Sequence, residues 1–156
     1  MRLCGVADTV VCAVSFPVAD IFWDTILRWY GDVRVPSRMW VDLLCVALDE
    51  CTHFEWINAR MQELGYGYGD MPAHHGLWEE ACESSGSLLD RLIQVPLQQE
   101  ARALDAQPRL VSKLLSCGDR TSAELVNQIC SEEVSSSTLG HPCRPHISPR
   151  SARVLC

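Results

Sequence analysis

SRMWVDLLCVALDECTHFEWINARMQEL, residues 37–64, is the stretch whose reading decides the fold. Leu43, Ala47, Glu50, Phe54, Ile57, Met61 and Leu64 recur at steps of four and three, which draws a single seam down a helix. At 1.5 Å per residue such a helix is about 40 Å long. Six of the seven seam residues are apolar and the seventh, Glu50, is a carboxylate. His53, three residues on, shares its face. A carboxylate inside an apolar stripe is costly unless a proton, a cation or a metal compensates it. The question for the rest of the chain is therefore what it supplies to Glu50.

Working outward, VADIFWDTILRWY (18–30) reads as a preceding helix with an apolar face of Ala19, Phe22, Ile26 and Trp29. Pro17 suits its start and Gly31 its end, and Ser37 is the expected N-cap of the long helix. GYGYGDMPAHHG (65–76) reads as a loop whose aromatic residues pack onto the helices. His74 and His75 are adjacent and would point apart, so they do not suggest a shared metal. Leu77 to Ala103 reads as a third long helix kinked at Pro96, in which Leu89, Ile93, Pro96, Glu100 and Ala103 keep the same spacing. Pro108 is expected to start a short helix, and Asp119 or Thr121 to cap a last one running to about residue 135. There Ser122, Val126, Ile129, Glu133 and Ser136 repeat the seam.

Composition bounds the function. A chain of 156 residues with 47% hydrophobic and 21% charged residues fits one globular domain. A net charge of −7 argues against general nucleic-acid binding. The apolar run VVCAVSF is far too short to span a membrane. Nine cysteines without a Cys-x-x-Cys pair, several within helices, read as reduced thiols of a cytoplasmic protein. TLGHPCRPHISPRSARVLC (138–156) has no acid and three prolines and reads as a disordered basic tail. Its His141, Cys143 and His146 make a weak zinc site at best. The expected organisation is a divergent segment 1–17, a helical domain 18–137 and the tail.

Glu50, Glu100 and Glu133 thus each fall on an apolar seam, and His53 stands three after the first. Carboxylates bridge hard cations and absorb their charge, while an imidazole adds a terminal nitrogen ligand. A helical bundle builds a dinuclear site from such parts.

DECTHFEWINARMQELGYGYGDMPAHHGLWE (49–79), QEARALDAQP (99–108) and SEEV (131–134) resemble the ferritin-like proteins of domain-of-unknown-function family 455. The resemblance covers roughly residues 20–135 and implies an all-α, ferritin-like four-helix bundle with a di-iron site. It carries Glu50, His53, Glu100 and Glu133 over as metal ligands. It also implies oxidase- or hydroxylase-like chemistry on an unknown small molecule or nucleotide held near the 65–78 loop. Two ligands of the family pattern are missing. Ser136 stands where a second His belongs, and no Glu precedes Glu50. Gln99 stands where members often have His. The bundle is therefore expected to be incomplete at both ends, as a truncated or spliced form would be. The alternative is a non-catalytic bundle acting through protein partners; iron storage fits worst.

Overall fold

In a computed structural model, residues 15–70 and 75–136 are described. The fold is all-α: α1 Ser15–Trp29, α2 Ser37–Glu63, α3 Gly76–Glu83, α4 Leu88–Leu92, a π-turn Ile93–Leu97, α5 Gln98–Ser116 and α6 Arg120–Ser136. The described residues include no strand. No helix among them is long and apolar enough to cross a membrane. The expected tail and most of the N-terminal segment lie outside the described residues.

α1 and α2 form a hairpin. Val18, Phe22 and Ile26 of α1 interleave with Trp40, Leu43 and Ala47 of α2 in the main core. α2 differs from the expected helix in its inward line and at its start. His53 is 2% exposed, whereas Glu50 and Phe54 are only half-buried, so the inward line runs through the imidazole. Pro36, not Ser37, occupies the N-cap position, and no side chain caps the helix. The C-terminus ends as expected at Gly65, in the left-handed region at φ +87. There the Gly65 and Tyr66 amides donate to the carbonyls of Gln62 and Met61, closing the last turn.

The third long helix is not one rod from Leu77 to Ala103. It breaks at Ser84–Ser87 and then runs unbroken through Pro96 and Pro108 to Ser116. The reason lies in local hydrogen bonding. The Ser84 hydroxyl donates back to the carbonyls of Glu80 and Ala81, and Ser87 accepts from the Asp90 amide as a new N-cap. Pro96 is absorbed by the π-turn, whose wider coil lets the Gln98 amide reach Ile93. Pro108 lies inside α5 on an exposed side, with Leu104 also exposed, so the carbonyl it deprives of a partner meets water.

Arg91 fastens α1, α3 and α4 together and is 1% exposed. Its guanidinium donates to Asp24 Oδ2 at 2.7 Å, Thr25 Oγ1 at 3.1 Å, Ser84 Oγ at 3.0 Å and the Ala81 carbonyl at 2.6 Å. It also lies 5.4 Å from the Trp29 ring centroid. A second hairpin, α5–α6, closes around Leu114, Ala123 and Val126. Arg60 joins α2 to it, donating to Ser122 Oγ and Asp119 Oδ1, both at 3.0 Å. Asp119 in turn caps α6 by accepting from the Ser122 amide and hydroxyl. Burial opposes ionisation of Asp119, but the bonds from Ser122 and Arg60 outweigh it and hold its carboxyl below the usual range.

Candidate metal centre

Arg60 meets the start of α6, and His53, two turns earlier on α2, meets its far end. The two helices therefore run antiparallel, which carries Glu133 back to the face of α2 that bears Glu50 and His53. One donor atom each of Glu50, His53 and Glu133 lies within 4.8 Å of the other two. His53 is the buried member and the carboxylates are half-buried.

The His53 ring is bracketed by acid. Glu133 Oε1 lies 2.9 Å from Nδ1, and Glu132 Oε2 lies 3.5 Å from Nε2. The Glu133 approach is off the N–H direction, so buried Nδ1 makes no directed hydrogen bond. Burial opposes protonation of His53, yet Glu133, Glu50 and Glu132 together outweigh it and raise its pKa above the ordinary imidazole value. The Trp56 ring covers it, with centroids 5.8 Å apart.

The donor set suits a transition-metal ion. Two carboxylates and an imidazole bind through bonds of about 2.0–2.2 Å, which puts opposite donors up to about 4.4 Å apart. The three donors lie no more than 4.8 Å apart, close to that span. A buried ring nitrogen without a directed partner is also what a ligand atom would leave in the metal-free chain.

Three of the four residues expected from sequence are thus brought together. Glu100 lies in α5, and its side chain is outside the described residues. Ser136 closes α6, and its side chain is likewise outside them. Gln99 donates to Glu80 Oε2 at 2.7 Å, and Arg102 holds the other oxygen at 2.8 Å, so Gln99 serves the α3–α5 contact. The acids of α1 divide: Asp24 is taken by Arg28 and Arg91, and Asp20 is exposed. Glu132 is not singled out by the seam, because it flanks Glu133 by one position. Its only sequence signal is the doubled acid in SEEV.

Two thiols lie beside the cluster. Burial pushes the Cys51 thiol up, with Glu55, Asp20 and Glu50 adding to it; burial and then Glu133 do the same to Cys130. Cys51, Cys82 and Cys130 are free, whereas Cys45 and Cys117 are disulfide-bonded, against the expectation of reduced thiols throughout. The loop aromatics pack, as expected: Tyr68 meets Phe54 edge-to-face at 5.3 Å. His74 lies outside the described residues, and His75 is exposed at the start of α3.

The family model described as "Protein of unknown function (DUF455)" matches residues 10–144. The chain belongs to this family. An "Uncharacterized protein" from Haemophilus influenzae is 38% identical over 100 residues, covering 64% of this chain and 35% of the relative. The chain thus spans about a third of the length of that curated relative. No solved structure matches it. Membership in DUF455 leaves the chemistry to be argued from the cluster itself.

Proposed function

We propose that the chain is a metal-binding protein of ferritin-like type. In this reading Glu50, His53 and Glu133 hold a transition-metal ion, and Glu100 supplies a further carboxylate toward a second. The observation that carries it is the convergence of two carboxylates on a buried imidazole whose Nδ1 has no directed hydrogen bond. Iron is the metal that the sequence resemblance favours. Bound iron would supply dioxygen activation for an oxidation or hydroxylation, with the substrate unidentified.

The chain's own residues have defined tasks. Glu50 and Glu133 offset the charge of the cation, and His53 adds a neutral ligand that must lose its proton to bind. Trp56 and the packed face of α2 keep water from one side of the ring. The ligands stand on two helices clamped by Arg60, so their separation is set before the ion arrives.

Anaerobic titration with Co(II), followed by its visible absorption, tests this reading. Saturable binding in the native chain that is abolished in Glu50→Ala and His53→Ala supports it. Equal weak absorption in all three proteins would overturn it. The second reading, a non-catalytic bundle working through a partner, draws on the apolar side chains of Leu89, Leu97 and Leu104, which stand exposed along the Leu88–Ser116 rod. It predicts no specific metal binding.

A further inference from the structure

The core line of α1 passes through Phe22 and Ile26, and that of α2 through Trp40 and Ala47. Each of these residues is followed by a large side chain that stays in solvent: Trp23 and Leu27 on α1, Val41 and Leu48 on α2. Tyr30 follows half-buried Trp29 in the same way, and its ring meets Trp40 edge-on at 6.0 Å. On a right-handed helix the next residue is always turned by about 100° in the same sense. α1 and α2 run in opposite directions, so the two turns bring all five side chains to one face of the hairpin. Residues that precede the core line turn the other way. There Ile21 packs with Ala81 and Val95, and Thr25 accepts from Arg91, so α3, α4 and the π-turn cover the opposite face. The first face is left open: Leu27 is 80% exposed and Tyr30 73%.

Size and charge say what fits it. With Val33, 98% exposed at the tip of the hairpin, the face shows on the order of 700 Å² of side chain, more than the largest apolar patch of a typical monomer, about 300–600 Å². It approaches the area that one side of a standard interface buries, about 800 Å². Its make-up is that of an interface core, with Trp and Tyr among aliphatic residues and no charge within it. The arginines beside it each hold a nearby acid: Arg28 with Asp24 at 2.8 Å, Arg34 with Asp32 at 2.6 Å and Arg38 with Asp42 at 3.7 Å. A face meant for a lipid surface would carry a cationic surplus at its edge. A locally neutral edge instead suits a face that meets its own copy, where any one-signed rim would repel itself.

We propose that the chain pairs with a second copy of itself through this face. α1 and α2 of one protomer lie against α1 and α2 of the other about a two-fold axis. Four helices then share one apolar layer, and both patches are covered at once, so association stops at two. The pairing leaves the α2–α6 cluster as it is and does not depend on the metal reading.

Sedimentation velocity of the full chain over a range of about 1–100 μM tests it. The native chain should reach the mass of two copies. Leu27→Glu and Leu48→Glu should each raise the dissociation constant at least about 100-fold, because a two-fold axis counts every change twice. Both positions are exposed, so circular dichroism should report native helix content. Leu97→Glu, which makes the same chemical change on the exposed side of the Leu88–Ser116 rod, should leave the dimer intact. A native chain that keeps the mass of one copy throughout would overturn the proposal, whether residues 1–14 or another protein cover the face. A dimer that survives Leu27→Glu and Leu48→Glu, or that is lost in Leu97→Glu, would place the contact elsewhere and overturn it as well.

Discussion

Replacing Arg91 with Met should be among the most destabilising single changes in this chain. The residue is 1% exposed, and its guanidinium satisfies Asp24, Thr25, Ser84 and the Ala81 carbonyl at once. Methionine fills much of the volume and keeps contact with Trp29, so the loss is chiefly polar. Asp24 retains Arg28 and Thr25 retains the Ile21 carbonyl. The Ala81 carbonyl sits on a residue that is 2% exposed and loses its side-chain donor. Removing one partner from such a buried, charge-assisted network costs about 3–5 kcal/mol, a large share of the ~5–15 kcal/mol that holds a domain together. At roughly 2–4 °C per kcal/mol for a chain of this size, the midpoint should fall by about 6–20 °C. Arg91→Lys keeps the charge but not the planar fork that reaches four acceptors, and should fall between the two. Urea unfolding followed by far-ultraviolet circular dichroism measures both. A loss below about 1 kcal/mol for Arg91→Met would refute the reasoning, because it would mean that α1, α3 and α4 are not fastened through this side chain.

Three further expectations follow from the helix ends and the α2–α6 clamp. Asp119→Ala removes an N-cap and the Arg60 bridge together and should cost about 1–2 kcal/mol near neutral pH in urea unfolding. The Asp119 carboxyl is depressed in the folded chain, so its stabilisation is present above the unfolded value of about 3.9 and disappears as pH falls through the lower folded value. The gap between native and Asp119→Ala should therefore close only in strong acid. Gly65→Ala places a Cβ at φ +87 and should cost about 1–2 kcal/mol in the same assay, whereas Gly86→Ala, where φ is not positive and nothing lies within 4 Å, should cost far less.

The sequence is most legible where periodicity and end signals agree. α2 shows this: a seam of fours and threes predicts the helix, and Gly65 predicts its end to within a residue. The same periodicity assigns the inward line to Phe54, and the structure gives it to His53. Adjacent positions on a helix differ by about 100°, so the choice between them depends on which neighbour packs opposite. Pro96 misleads because the expected kink ignores the π-turn that can house a proline, and the true break lies in Ser84–Ser87, where hydroxyls compete for backbone bonds. Arg91 carries no sequence signal at all. Its partners are 7 to 67 residues away, and only tertiary packing assembles them. Of the candidate site, Glu50 and His53 are local and readable on one helix. Glu133 joins them only through the antiparallel placement of α6, which a seam suggests but cannot orient. Glu132 is hidden by its neighbour, since a seam count admits one acid per turn.

A metal site at Glu50, His53 and Glu133 is open to direct test. Metal content of the purified protein by elemental analysis, beside Glu50→Ala, tests it most directly. A transition metal, iron above others, is expected in stoichiometric amount of about one to two ions per chain, with its loss in the variant. Metal below about a tenth of an ion per chain, unchanged in Glu50→Ala and unrestored by anaerobic addition of Fe(II), would contradict it.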